Sequence, residues 1–395
     1  MKKIMRIGFF TDTYLPVIHG VEVSIETFRK ELEAMGHQVF IFAPESPGYK
    51  DKNPKVFRFK SQRLIENPEM YYAFAFLPVS RNFKEIDHFK LDIVHAHTPF
   101  SLGLLAKYIS ERQIIPLIYT HHTHYPEYVK AYFGEELLLP YLAKIYSTWF
   151  VNNSNAVIAP SLKIKKLLQD YGVKKTIQIH ILPTGINLKF FKKSVKNRQN
   201  LRKKLKISPE TKILLSVSRI GKEKNIEFLI KAFHELLKRR KDVLLLLVGD
   251  GPILEHLKKI SQKLGIAPFI KFAGRIPSEE VPFYYQSSDV FLFASLTETQ
   301  GIVILEALGC GLPVVALKDD AFSDVVLDGK NGFLIKKQSP KIFAQKITSI
   351  LNNPTLYKKF SDSALKTAQK FSEKKVVEKL VEIYKTNIDK YYCQK

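Results

Sequence analysis

Five short apolar runs punctuate the first half of the chain: MRIGFFT, HQVFIFA, DIVHAH, PLIYT and AVIAP. They do not alternate with polar residues as half-buried strands do, so they predict strands covered on both faces, as in parallel sheets. Segments with helical apolar spacing lie between them; VEVSIETFRKELEAMG carries one such stripe and stops at Gly36, a residue suited to ending a helix. The alternation restarts at TKILLSVSR and continues through DVLLLLVG, PFIKFAG, DVFLFAS and PVVAL. Between the two series stands LPTGINLKFFKKSVKNRQN, a Pro/Gly/Asn turn followed by polar, basic sequence, which places an interdomain boundary near residues 183–200. The pattern predicts a doubly wound α/β domain over 1–190 and another over 191–371. A long helix over 372–395, from EKKVVEKLVEIYKTNIDKYY, is expected to pack back toward the N-terminal domain. Two such domains facing each other would leave a cleft at the carboxyl ends of their sheets, where ligands bind in folds of this kind.

Charge changes the picture more than length does. The 395 residues carry a formal net charge of +24. Up to position 190 there are 24 basic residues against 17 acidic, and beyond it 38 against 21. Eight of the later basic residues fall in KKSVKNRQNLRKKLK, Lys192 to Lys206, which has no acid. Such an excess attracts an anionic partner, nucleic acid or acidic phospholipid, though a solvated lysine-rich surface accounts for the same count. No recognised nucleic-acid motif accompanies it, so a nucleic-acid partner is not expected. Cys310 and Cys393 supply neither a disulfide framework nor a zinc site, and Cys310 in its apolar segment reads as a small core residue of a protein in a reducing cytoplasm. The opening MKKIMRIGFFTDTY resembles a signal peptide only briefly, since Arg6 and Asp12 interrupt it; a first strand is the better reading. No apolar run reaches membrane-spanning length.

The common nucleotide signatures, G-x-G-x-x-G and G-x-x-x-x-G-K-[ST], are missing, which argues against dinucleotide dehydrogenases and P-loop enzymes. Other strand-to-helix loops suit phosphate. PVIHGV puts Gly20 at a helix N-terminus, where backbone can approach an anion, although every βα unit needs a turn. SVSRIGKEKN carries Arg219 and Lys224, cations of the kind a diphosphate requires, or else a solvated lysine-rich loop. VGDGP places Gly249 in a tight turn after the next strand. ETQGIVILEALGCGLPVVA then brackets a helix start with two acids: Glu298 in the loop, Glu306 one to two turns into the helix, and the free amides of Gly301 and Ile302 between them. A carboxylate on so apolar a helix needs donors, and the hydroxyls of a sugar nucleotide provide them.

Taken together, Glu298/Glu306, SRIGKEKN, VGDGP, AHTP after a strand and LGCGLPVVA resemble the retaining family 4 glycosyltransferases of the GT-B fold, over nearly the whole chain. The resemblance implies an N-terminal acceptor-binding Rossmann-like domain and a C-terminal sugar-nucleotide-binding one. It implies that Arg219 and Lys224 hold the donor diphosphate, Glu298 the transferred sugar with the amides near Gly301, and Glu306 the ribose, while Gly20 meets the distal phosphate. It calls for no metal and no tightly bound cofactor. The donor it implies is UDP-glucose or another nucleotide hexose. The blocks FFTDTYLPVIHGVEVSIETF and YTHHTHYPEYVKAYF are most similar to bacterial 1,2-diacylglycerol 3-alpha-glucosyltransferases; in them His122 matches the histidine at the reaction centre, with His97 as second candidate. Transfer to phosphatidylinositol, a polysaccharide or a small soluble acceptor is the alternative. Two departures stand out: His19 where many members have glycine, and Asp324 near a common glutamate, to which no role is assigned. A lipid acceptor implies a peripheral enzyme on the anionic inner face of the cell membrane. Tyr71–Phe83, beside Arg81 and Lys84, is the expected contact, while the basic helix Ser161–Lys175 is expected to pack on the sheet. Oligomeric state has no signature here.

Overall fold

Strands of four to seven residues, with most of their residues buried, build two parallel sheets in a computed structural model that describes residues 4–17, 20–63, 71–74, 85–133, 138–295 and 297–393. Contacts divide the chain into two units, 1–185 with 373–395, and 186–372.

In the first unit the strands are β1 (Arg6–Phe10), β2 (Gln38–Pro44), β3 (Val56–Phe59), β6 (Ile93–Ala96), β7 (Leu117–Thr120), β8 (Ala156–Ala159) and β9 (Gln178–Ile181), with a small antiparallel pair β4 (Ser61–Arg63) and β5 (Tyr71–Ala73) apart from them. The seven-stranded sheet runs β3-β2-β1-β6-β7-β8-β9, all parallel. Helices α1 (Gly20–Ala34), α2 (Ser101–Gln113), α3 (Tyr125–Phe133), α4 (Leu138–Asn152) and α5 (Leu162–Asp170) connect them. Ile25, Phe28 and Leu32 of α1 fill one face of the sheet; Leu102, Leu105, Phe150 and Ile164 fill the other. Such two-sided cover is what the continuous apolar strands require.

The second unit has β10 (Lys212–Val217), β11 (Val243–Val248), β12 (Ile270–Gly274), β13 (Val290–Phe293), β14 (Val314–Leu317) and β15 (Gly332–Ile335) in the parallel order β12-β11-β10-β13-β14-β15. Its helices are α6 (Val195–Lys204), α7 (Ile226–Leu237), α8 (Leu254–Lys263), α9 (Val281–Ser287), α10 (Ile302–Gly309), α11 (Pro340–Leu351) and α12 (Pro354–Lys370). The chain ends in α13 (Glu373–Cys393), whose Val377, Leu380 and Tyr384 join the core of the first unit alongside α1.

The units divide at 185/186, inside the expected 183–200 stretch and just before the 190/191 division, because Ile186 donates to the Phe371 carbonyl and packs in the core of the second unit. The basic stretch beyond it is not a polar linker. Ser194 caps α6 by accepting from Asn197 N–H, and Arg202, 5% exposed, donates to Asp289 and to the carbonyls of Ser287 and Thr211. Arg198 holds the other oxygen of Asp289 at 2.7 Å. Two of the eight charges in Lys192–Lys206 are therefore structural, which lowers the run's value as a polyanion contact. Removing Arg202 leaves Asp289 to Arg198 alone and strips three carbonyls of their donor, so Arg202→Ala is expected to cost about 3 kcal/mol, the low end for a broken buried pair, read as a lower denaturant midpoint. The basic helix α5 packs on the sheet through Ile164 and Leu168. Of the expected membrane segment Tyr71–Phe83, positions beyond Phe74 lie outside the described residues, as do Arg81, Lys84 and His19.

Candidate functional site

In a parallel sheet the order of strands decides where loops part. In the second unit the chain steps outward from β10 to β11 and β12, then returns to the other side of β10 at β13. The loops after β10 and β13 therefore leave in opposite directions, the arrangement at which folds of this kind bind ligands. Arg219 and Lys224 lie on the first of these loops, Glu298 on the second.

Specific bonds fix the two loops against each other. Ser295 Oγ donates to the Glu223 carbonyl at 3.2 Å, and Asn225 Nδ2 to the Ala294 carbonyl at 3.4 Å, tying the loops together. Lys224 Nζ then stands 2.6 Å from Glu298 Oε1, both side chains partly buried. Arg219 is exposed, and its guanidinium has no hydrogen-bond partner among the described residues. Gly249, at φ +130°, lets the β11 loop close onto this assembly: a Cβ there would lie 1.9 Å from the Ser218 carbonyl oxygen. Glycine at this position lets the two loops approach each other closely. Gly301, at φ +70°, turns the chain into α10 as its N-cap, leaving Ile302 as the first helical residue.

Glu306 sits one turn into α10, its carboxyl shielded from water. Burial pushes that carboxyl up to about 7, against the opposing effect of a hydrogen bond donated by Tyr285 Oη at 2.7 Å. Tyr285, fully buried on α9, was hidden from sequence inspection because a tyrosine at an apolar helical position looks like any core residue. Cys310 is buried, as its apolar context indicates, and burial raises its thiol pKa. Asp324 is exposed.

The first unit has its own switch point, between β1 and β6. Buried Asp12, after β1, accepts from Thr98 Oγ1 at 2.6 Å, Ser101 Oγ at 2.7 Å and Leu102 N–H at 3.0 Å, thereby capping α2 and fixing the loop after β6. His97 on that loop meets His122 from the loop after β7, Nδ1 to Nε2 at 3.1 Å with the rings stacked. One layer deeper, His95 bonds Tyr384 Oη at 2.6 Å and Thr120 Oγ1 at 2.7 Å. Burial drives the pKa of His97 well down and that of His122 to about 3, so both rings are neutral at working pH. A neutral pair orients a hydroxyl; it does not supply a cation. Among the described residues His97 Nε2 and His121 Nε2 are buried without hydrogen-bond partners. Gly20, the first residue of α1, is exposed, with open space where a Cβ would stand. Among the described residues no group of three or more His, Cys, Asp or Glu is arranged to hold a metal ion.

Residues 197–367 match the family model Glycosyl transferases group 1, and residues 18–190 match Glycosyltransferase Family 4. The chain is 40% identical to the alpha-monoglucosyldiacylglycerol synthase of Streptococcus pneumoniae over 84% of its own length and 75% of the relative's. It is 33% identical to the protein of the same name from Acholeplasma laidlawii, over 98% of each. Among solved structures, Anabaena Alr3699/HepE in complex with UDP superposes with a TM-score of 0.78 at 20% identity, covering 97% of this chain and 100% of that one. That likeness establishes the fold: two Rossmann-like units of the GT-B class.

Proposed function

We propose that this chain, which belongs to the group 1/family 4 glycosyltransferases, moves glucose from UDP-glucose to a hydroxyl of diacylglycerol, with retention, at the inner face of the cell membrane. The observation that carries the donor half is the Lys224–Glu298 pair fixed at the β10/β13 switch point, with the exposed Arg219 on the same loop as Lys224. The acceptor half draws on the two relatives named for monoglucosyldiacylglycerol.

Arg219 and Lys224 neutralise the diphosphate, whose charge grows as the glycosidic bond breaks. Glu298 accepts from hydroxyls of the transferred sugar and keeps Lys224 aimed at the phosphate. The amides near Gly301 assist at the sugar, Glu306 accepts from the ribose, and Gly20 admits the distal phosphate. His122, positioned by His97, orients the acceptor hydroxyl, whose proton passes to the departing diphosphate as the new bond forms on the same face. Glu298 is not cast as a covalent carboxylate, since retention in this picture uses no protein nucleophile.

The test is transfer from UDP-glucose to dioleoylglycerol in mixed micelles, with the lipid product's anomer read by NMR and GDP-mannose and UDP-galactose run in parallel. An α-linked glucolipid is expected. A β-linked product, or a lipid glycosylated only from another donor, would overturn the proposal.

A further inference from the structure

The helix α4 is apolar on two sides. Ser147, Phe150 and Val151 face the core of the first unit. On the other side Leu138, Leu139, Tyr141, Leu142, Ile145 and Trp149 are each 42–66% exposed, six of the seventeen large exposed apolar side chains found among the described residues. A helix apolar all round belongs in a protein core or in lipid, and this one is in neither within the chain. It carries one charged residue, Lys144, and no acid. At about 22 Å long it is too short to cross a bilayer, so it can only lie along one; no described helix is long and apolar enough to span.

Two further observations say what covers it. The exposed stripe is continuous with the histidine loop: Trp149 stacks on Tyr146, Tyr146 on Phe100, and Phe100 meets Tyr125, which in turn packs on His121. Phe100 is itself exposed and lies three residues beyond His97. Lysines border the stripe: Lys144 lies over the Tyr171 ring at 5.2 Å, and Lys163 of the basic helix α5 lies near His124, which bonds Tyr171 Oη, while Lys130 is neutralised by Glu127 at 3.0 Å. An apolar face flanked by lysines suits the headgroup and upper acyl region of an anionic leaflet.

We propose that α4, with Phe100, is the surface by which this protein lies in an anionic membrane, setting the His97/His122 loop at the depth of a lipid hydroxyl. This rests on the lipid-acceptor reading, yet it can fail separately. Trp149 is the only tryptophan in the chain, so its emission reports on this face alone. With phosphatidylglycerol/phosphatidylcholine vesicles the emission should shift to the blue and be quenched by brominated acyl chains. The double variant Leu142→Glu, Ile145→Glu should lower vesicle partition by at least about tenfold while still glycosylating water-soluble dihexanoylglycerol. Sedimentation with vesicles without any change at Trp149 would place docking elsewhere and overturn the proposal. So would a dimer in solution that the double variant dissolves, because a second copy would then own the face. Insertion of Trp149 with no transfer to any glycerolipid would keep the docking surface and reject the acceptor instead.

Discussion

Lys224→Ala and Arg219→Ala each lower turnover by about two to three orders of magnitude, near 3–4 kcal/mol, with the fold retained. The two halves of that expectation come from different magnitudes. Lys224 and Glu298 form a partly exposed pair at 2.6 Å, and pairs of this kind contribute at most about 1 kcal/mol to stability. Arg219 is exposed and has no partner among the described residues, so its loss should move stability by no more than about 0.5 kcal/mol. In the transition state the balance differs, because the loops are already tied through Ser295 and Asn225 and little reorganisation is needed when phosphate charge develops. Lys224→Ala should show a further effect: Glu298 loses the cation that aims it, so saturating the enzyme with donor will not restore turnover. Thermal melts and steady-state rates on both variants make the check. If both keep near-normal turnover, the loop after β10 is not the phosphate site.

How much of this was legible beforehand depends on the kind of interaction. All ten apolar runs became strands, nine of them because burial on both faces writes itself into four or more consecutive residues; β12, buried only at Ile270, is the exception. The edge strands β3 and β9 were not legible; β9, with Gln178 and Ile181 exposed, lacks that continuity. Glu298 and Lys224 were visible as residue types on strand-to-helix loops, but their meeting depends on the β10–β13 pairing, which no local pattern encodes. The same holds for His97 and His122, brought together by the β6–β7 register of Ala96 against Tyr119. Arg198 and Arg202 misled because a buried arginine and a solvated one look alike in a basic run; only Asp289, some ninety residues on, separates them. The exposed side of α4 was invisible for the converse reason: apolar residues on two faces suggest a deeper core, and only the fold shows one face left uncovered.

Glu306→Gln should make the protein more stable at pH 8 and a poorer binder of donor. The carboxyl, ordinarily at 4.5, is raised to about 7 by burial, so between those values the folded chain holds a proton that the unfolded chain has released. Stability from this group is therefore complete below about pH 4.5 and lost as pH rises through about 7. Fully realised, the loss approaches about 3 kcal/mol, and solvent access will reduce it. Glutamine has no charge to desolvate and still offers an oxygen to Tyr285 Oη, so the stability difference between variant and parent should grow from near zero at pH 4.5 to its full value by pH 8. Donor affinity should move the opposite way. An ionised Glu306 accepts from two hydroxyls, whereas the protonated group has lost acceptor capacity. In the parent the KM for donor should thus fall between pH 6 and pH 8, and in Glu306→Gln it should be raised and flat. Urea titrations and donor saturation curves at matched pH separate the two effects, since every other titrating group is common to both proteins. A stability difference that does not vary with pH would mean that the carboxyl is already ionised at little cost. An unchanged pH slope of KM in the variant would mean that the donor does not touch Glu306.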